Sequence, residues 1–236
     1  MEFWVYFAAK PLFWLIVTIV VFMFSSWVNR RLGGTPLVHP VLLSLSLIIL
    51  FLLLTGTEYE TYFEGAQFIH FLIGPATVAL AIPLYDHFER VKQLWLPLLV
   101  ACGVGAATAI VSVLMVARLF DVPEGVLLSM APKSVTSPIA IGIAEKIGGF
   151  PSLAAGIVLV TGAIGCLLAP AVFRILNVQD DAVKGFSLGL SAHGFGTAQA
   201  LEISALAGAF SGLAMGLTGL ITAFIMPLII SVMGLG

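Results

Sequence analysis

Residues 131–146 read APKSVTSPIAIGIAEK and interrupt a chain that is otherwise strongly apolar. Each of the two prolines in this stretch removes a backbone donor and crowds the turn before it, which breaks a regular helix. The hydroxyls of Ser134, Thr136 and Ser137 can bond the carbonyl groups so freed. At membrane depth, such backbone is stable only where it is buried in protein or lines a wet cavity. The stretch therefore predicts a discontinuous helix.

Lys133 lies inside this interrupted stretch. A cation within the membrane is costly and usually marks a path for a substrate or an ion. The alternative is an ordinary interfacial loop whose lysine extends its ammonium group to the membrane surface. The stretch by itself leaves both interpretations open.

The composition identifies the class of protein. The chain has 236 residues, of which 60% are hydrophobic and 9% charged, and this excludes a soluble globular domain. The length leaves room for about seven or eight membrane segments of about 20 residues each. We therefore expect an all-α, polytopic integral membrane protein in a lipid bilayer. The net charge of −2 and the lack of a basic stripe indicate no nucleic-acid partner.

Seven apolar runs accompany the interrupted stretch, at residues 11–28, 37–54, 66–85, 94–116, 150–173, 185–206 and 208–233. The first is predicted to be a retained span, not a cleaved signal peptide. The connection after the first run is basic, the one after the second is acidic, and the one after the third carries Arg90 and Lys92. Because basic loops tend to stay in the cytoplasm, this order predicts an N-terminus outside. Cys102 and Cys166 lie in apolar runs without metal-ligand spacing, so we expect core residues and neither a metal nor a cofactor.

A second polar stretch lies in the sixth apolar run, where residues 191–199 read SAHGFGTAQ. Glycines and polar side chains at this depth favour the lining of a cavity over contact with lipid. The pattern predicts that this second break, around Gly194 and Gly196, lies opposite the first.

The chain also resembles itself. GPATVALAIPLY from Gly74 aligns with APKSVTSPIAIG from Ala131 at an offset of 57, and FPSLAAGIV from Phe150 echoes FSGLAMGLT from Phe210 at 60. Repetition with interrupted segments is typical of transporter folds. The alternative is coincidence among Ala, Gly, Val and Leu. The expected organisation is one domain, 1–236, with two first spans in 1–64, repeat-like units at 65–123 and 124–184, and C-terminal spans at 185–236.

Three motifs resemble the LrgB/CidB family of bacterial membrane proteins: GPATVALAIPLY from Gly74, PKSVTSPIA from Pro132 and SAHGFGTAQAL from Ser191. The similarity extends over nearly the whole chain. The relatives of this family include the C-terminal half of the plant plastidal glycolate/glycerate translocator. The resemblance implies two functions that differ. Bacterial members are described as antiholin-like regulators of murein hydrolase activity and lysis, whereas the plant relative moves small hydroxy acids. It also implies an LrgA/CidA-type small membrane partner and a multi-pass location in the bacterial inner membrane.

A permease for small monocarboxylates such as glycolate, lactate or pyruvate needs fixed positive charge, hydrogen-bond donors and a wet route. The candidate substrate-binding residues are Lys133, Ser134, Thr136, Ser137, His193, Gly194, Gly196, Thr197, Gln199 and Thr77. The candidates for ion coupling are His193, whose imidazole titrates near neutral pH, and the carboxylates Glu202 and Glu145. His193 can equally be a neutral residue that bonds a neighbouring helix.

The sequence indicates no enzyme, because it has no HExxH or GxSxG motif and no pair of aspartates within the apolar runs. A homo-oligomer is compatible with this interpretation. The main hypothesis is therefore a carboxylate permease, and the alternative is an antiholin-like regulator of lysis.

Overall fold

The computed structural model describes residues 11–34 and 38–235, and this part of the chain is helical, with turns and no strand. The contacts divide it into two compact units, one ending at Ala79 and the other beginning at Leu80. The predicted all-α membrane fold is confirmed.

The first unit packs around a buried tryptophan. Trp14 makes edge-to-face contacts with Phe51 and Tyr62, and Tyr62 also lies within hydrogen-bonding distance of Thr18. Gly65 allows close approach, because a Cβ there would collide with the backbone of Pro11. The helices are α1 (Pro11–Arg31), α2 (Pro40–Thr55), α3 (Tyr59–Phe71) and α4 (Ile73–Ala79).

In the described part of the second unit, residues 80–235, there are three long helices and several short ones. Each long helix has 25 or more residues, which at 1.5 Å per residue is enough to cross a hydrocarbon core of about 30 Å. The helices are α5 (Ala81–Asp86), α6 (Phe88–Gln93), α7 (Trp95–Leu119), α8 (Glu124–Met130), α9 (Ser137–Lys146), α10 (Pro151–Ile175), α11 (Asp181–Ile203) and α12 (Ala205–Val232).

Helices α8 and α9 form a hairpin, called hairpin 1 below (residues 124–146), whose tip is the non-helical turn at 131–136. The chain after α9 returns to α8. Phe150 N donates to Ser129 Oγ at 2.6 Å, and the Phe150 ring packs against Gly125. Lys146 and Glu124 line the same cavity. Hairpin 1 thus begins and ends on one side of the bundle.

Helix α11 also reverses, at His193, where φ is 42° and ψ is −125°. We call residues 181–203 hairpin 2. Its first limb runs parallel to α12, since Gly185 faces Ala207 and Gly189 faces Ser211. Its second limb is antiparallel to α12, since Thr197 bonds Ser211 and Leu201, further along the limb, lies against Gly208. At its base, the Ser204 hydroxyl interacts with the Asp181 carboxylate.

The long helices fix the directions of the two hairpins. Helices α7 and α12 run parallel, because their first halves share one buried cluster, their second halves share another, and Arg118 donates to Met233 O at the end of both. Helix α10 runs the opposite way, with Gly165 against Ala192 and Phe173 against Leu188. Hairpin 1 therefore enters the bundle where α7 ends, and hairpin 2 enters from the other side, where α10 ends. A long helix followed by a hairpin occurs twice, in opposite orientations.

The membrane segments can be compared with the runs predicted from the sequence. Within residues 11–34 and 38–235, five helical stretches are long and apolar enough to cross a membrane, and α2 is a shorter apolar helix. With the two hairpins they account for the predicted seven or eight segments. The run 185–206, in which the sequence predicts a glycine-broken stretch, turns back at His193. The division at 64, 123 and 184 stays a prediction.

Candidate functional site

The tip of hairpin 1 is an irregular turn that presents Lys133. Short turns close it, with Lys133 N bonded to Met130 O and Val135 N bonded to Pro132 O. Thr136 is extended, with φ −67° and ψ 151°, and occupies the N-cap position of α9 without a side-chain capping bond. Pro138 suits the first turn of α9, where a backbone donor is not needed. The two prolines thus produce the break that the sequence predicts.

Lys133 is half-buried, and its Nζ donates to Ser134 Oγ at 3.3 Å. Within residues 11–34 and 38–235, the ion pairs are Arg90–Asp180 and Lys184–Asp181, so no carboxylate pairs with Lys133 in the described chain. Ser134 is buried, and Thr136 and Ser137 are partly buried. The tip therefore holds a lysine that bonds the Ser134 hydroxyl and has no carboxylate partner among the described residues.

The tip of hairpin 2 is a single residue, His193, which is only 3% exposed. Its Nε2 lies 3.0 Å from Val158 O on α10. A carbonyl oxygen only accepts, so Nε2 carries the ring proton. Thr197 Oγ1 lies 3.0 Å from both His193 O and Ser211 Oγ. These bonds hold the left-handed backbone at His193 in place, which is otherwise unfavourable for a residue with a Cβ.

Small residues make room for this tip. A Cβ on Gly162 would lie 2.8 Å from the His193 ring, and one on Gly165 would lie 2.9 Å from Ala192. Gly196 sits against the carbonyl of Leu188, where the two limbs of hairpin 2 meet. The predicted break at Gly194 and Gly196 is therefore displaced. The reversal is at His193, and Gly196 serves the close packing of the limbs while Gly194 is exposed.

Both hairpin tips reach the same part of α10. Val135, from the tip of hairpin 1, packs in one buried cluster with Ala154 and Val158 of α10. The carbonyl oxygen of the same Val158 accepts a hydrogen bond from Nε2 of His193, at the tip of hairpin 2. The structure thus brings the two polar stretches to one turn of a single helix. That these residues bind a substrate stays a prediction.

Other predicted site residues lie away from the tips. Glu202 is exposed near the base of hairpin 2, nine residues from His193, or about 13 Å along a helix. Glu145 is exposed at the base of hairpin 1. The structure therefore does not place either carboxylate beside His193. The side chain of Thr77 lies outside the described residues.

Three participants in the site were missed by the sequence reasoning. They are the Val158 carbonyl, the space beside Gly162 that the His193 ring fills, and the Ser211 hydroxyl. A backbone carbonyl, and the space that a distant side chain fills, leave no signal in a sequence. Ser211 offers one, because a buried hydroxyl in an apolar helix needs a partner in a neighbouring helix.

Comparison with known proteins places this architecture in a family. A model of the LrgB-like family matches residues 18–232. The chain belongs to the LrgB-like family. It is 34% identical to the uncharacterized protein YwbG of Bacillus subtilis, over 93% of this chain and 97% of that protein. It is 33% identical to YxaC of the same species, over 92% and 94% of the two chains.

A third relative carries a functional name. This LrgB-like chain is 29% identical to the antiholin-like protein LrgB of Bacillus mycoides, over 95% of this chain and 97% of that protein. No solved structure matches the chain. The family and the apolar helices together identify a multi-pass membrane protein.

Proposed function

We propose that this protein is a permease for small monocarboxylates such as glycolate, lactate or pyruvate. The observation that carries the proposal is the meeting of two oppositely directed hairpins at one turn of α10, around Val158. Inverted repeats with broken helices that meet near the middle of the membrane are a recurrent design of secondary transporters. Opening one hairpin at a time would expose a central site to alternate sides.

The chemistry at the tips suits a small anion. Lys133 supplies positive charge, and Ser134, Thr136 and Ser137 supply hydroxyl donors. Helix α9 and the second limb of hairpin 2 both begin at a tip, so both present their positive dipole ends and free N–H groups there. In this proposal Gly194, Gly196 and Thr197 form the start of the second limb, beside the ligand.

His193 is the proposed proton-coupling group, because imidazole changes charge near neutral pH. Protonation of Nδ1, its second ring nitrogen, would add a positive charge next to the carboxylate of the bound substrate. In this proposal the ion-coupling candidates Glu145 and Glu202, which are exposed at the hairpin bases, act at the two ends of the route. The protein would work in the bacterial inner membrane with an LrgA/CidA-type partner, and it need not catalyse a reaction.

The second candidate is an antiholin-like regulator of murein hydrolase activity and lysis. It is favoured by the name of the Bacillus mycoides relative, which matches nearly the whole chain. This function does not by itself require a half-buried lysine among hydroxyl groups, and the permease does.

Uptake into proteoliposomes tests the proposal. Labelled glycolate, lactate and pyruvate are offered to the purified protein, with and without a pH gradient and the LrgA-like partner. Lys133→Ala should lower uptake by at least about tenfold, the effect of losing one charge-assisted hydrogen bond. Lys146→Ala, an exposed lysine of the same hairpin, is the matched control and should keep its activity. Absence of uptake by the wild type, with its partner present, would favour the lysis regulator.

A further inference from the structure

A groove runs between α10 and the first limb of hairpin 2. Its volume is about 190 Å³, and it is lined by Gly165 and Phe173 of α10 and by Ser187 and Ser191 of the limb, among others. Because α10 and this limb run in opposite directions side by side, the groove follows both helices. It extends from Gly165 to Phe173, which at 1.5 Å per residue is about 12 Å.

The two ends of the groove lie at different depths. Its inner end, at Ser191, is two residues from His193. Ser191 is also ten residues from Asp181, which places this end about 15 Å from the base of hairpin 2 along the helix. The outer end, at Phe173, is two residues before the end of α10. The groove therefore connects the His193 tip with the side of the bundle on which hairpin 2 has its base.

Two serines make one wall of the groove polar. Ser187 and Ser191 are four residues apart, so they lie on the same face of the limb. Ser191 Oγ donates to Ser187 O at 2.7 Å, whereas the Ser187 hydroxyl has no hydrogen-bond partner within residues 11–34 and 38–235. A serine inside a helix ordinarily bonds the carbonyl four residues before it or faces water. Because a hydroxyl without a partner is unfavourable in hydrocarbon, Ser187 indicates water in the groove.

Small residues of α10 leave the space for this water. Gly165 and Ala169 line the groove, and a volume of about 190 Å³ holds several water molecules at about 30 Å³ each. The second limb of hairpin 2 bonds α10 directly, since Gln199 Nε2 donates to Cys166 O at 3.3 Å. The space for water is therefore beside the first limb.

We propose that this groove is a water-filled route from the side of the hairpin 2 base to the His193 tip, and that the transported carboxylate passes along it. The proposal rests on the proposed permease and adds the path by which one side of the membrane reaches its site. A carboxylate loses its hydration only at high cost, so it needs water or hydrogen-bonding groups along the whole path. The hydroxyls of Ser187 and Ser191 provide such groups within the membrane.

Thiol labelling measures which positions water reaches, because the thiolate is the reactive form and apolar surroundings suppress it. Ser187→Cys and Ser191→Cys are treated, in intact cells and in inverted vesicles, with 2-sulfonatoethyl methanethiosulfonate, an anion that does not cross membranes. Both should react from the side on which Glu202→Cys, at the base of hairpin 2, reacts. The wild type gives the background, because Cys102 and Cys166 are buried.

Ala171→Cys is the matched control. Ala171 is exposed on α10 between the two ends of the groove but does not line it. It is closer to the end of α10 than Gly165, so depth alone would make Ala171→Cys react faster than Ser191→Cys. We expect Ser191→Cys to react at least about tenfold faster, because lipid suppresses the thiolate at the control position. Equal rates, or a faster reaction of Ala171→Cys, overturn the proposal.

Uptake separates this route from the permease itself. The purified Ser191→Cys protein is modified with the same reagent before reconstitution, and uptake of labelled lactate is measured in proteoliposomes. The attached sulfonate group should abolish uptake, and its removal with dithiothreitol should restore it. If the wild type carries lactate and the modified variant carries it equally well, the route is overturned and the permease stands. If the thiols react as expected but the wild type carries no acid, the groove is wet and the permease is wrong.

Discussion

At the level of single residues, the His193 tip depends on the absence of a side chain at Gly162, because the His193 ring fills the space beside that residue. The ring is almost fully buried and is tied to Val158 O, so it cannot move aside for an added methyl group. Gly162→Ala would bring a Cβ to 2.8 Å from the ring. We expect a loss of about 1–3 kcal/mol in the free energy of unfolding, the usual cost of overpacking. The midpoint of thermal unfolding in detergent measures it.

Gly156→Ala is the matched control, because Gly156 lies on the same helix and its Cβ would have no neighbour within 4 Å. This change should leave stability unaltered or raise it by up to about 1 kcal/mol, through the higher helix propensity of alanine. Equal melting midpoints for the two variants would contradict the tight fit of the His193 ring.

Residues that act through their own chemistry could be recognised from the sequence, and those that act through tertiary contacts could not. Two prolines and three hydroxyls located the break around Lys133, where the structure has it. The second break was expected at the glycines, which tolerate unusual backbone angles. It is at His193 instead, where two hydrogen bonds stabilise a positive φ. One is to the carbonyl of Val158, which is distant in sequence, and the other is from the buried hydroxyl of Thr197.

At the scale of elements, hairpin 2 is held against α12 by direct backbone contact. Gly189 faces the carbonyl of Ser211, and a Cβ at this position would collide with that oxygen. A backbone atom inside a helix cannot shift as the end of a side chain can, so Gly189→Ala should separate the limb from α12. We expect a loss of stability near the upper end of the 1–3 kcal/mol range for overpacking, at about 3 kcal/mol.

The yield of monodisperse protein in size-exclusion chromatography and the melting midpoint both report on Gly189→Ala. Gly103→Ala is its control, since a Cβ at Gly103 on α7 would meet no atom within 4 Å. If both variants behave as the wild type, the close packing of the first limb of hairpin 2 on α12 is wrong.

The two hairpins show what hydropathy can and cannot reveal about an element. A segment that turns back has the same apolar composition as one that crosses, so hydropathy alone does not distinguish them, and in 185–206 the break is indicated by the polar and glycine residues at 191–199. The first limb of hairpin 2 has about 12 residues, or about 18 Å, roughly half of the hydrocarbon thickness. Hairpin 1 was easier to recognise because two prolines exclude a continuous helix.

At the scale of the whole molecule, the sequence offset of 57 residues recurs between the hairpins, which begin at Glu124 and Asp181. The sequence alignment had instead paired Gly74 with Ala131. Two units in opposite orientations expose different faces to the same surroundings, so their sequences diverge. The positions at which their helices are interrupted are what the two units keep in common. The repeat units expected from the sequence stay a prediction, and the pairing of the two hairpins follows from the helix directions.

The inverted arrangement predicts that the two hairpin bases lie on opposite sides of the membrane. Arg90 pairs with Asp180 beside the base of hairpin 2, and Lys92 and Lys184 lie nearby in sequence, so the positive-inside tendency assigns that base to the cytoplasm. The exposed residues Glu145 and Glu202 mark the two bases.

Labelling of single cysteines with a membrane-impermeant maleimide tests this topology. In intact cells Glu145→Cys should react and Glu202→Cys should not, and inverted vesicles should reverse the pattern. Glu124→Cys should follow Glu145→Cys, and Arg174→Cys should follow Glu202→Cys, because each pair shares a side of the bundle. The native Cys102 and Cys166 are buried and should contribute little background. Labelling of both bases from one side would mean that the hairpins enter the bundle together, and the permease proposal would then lose the geometry on which it depends.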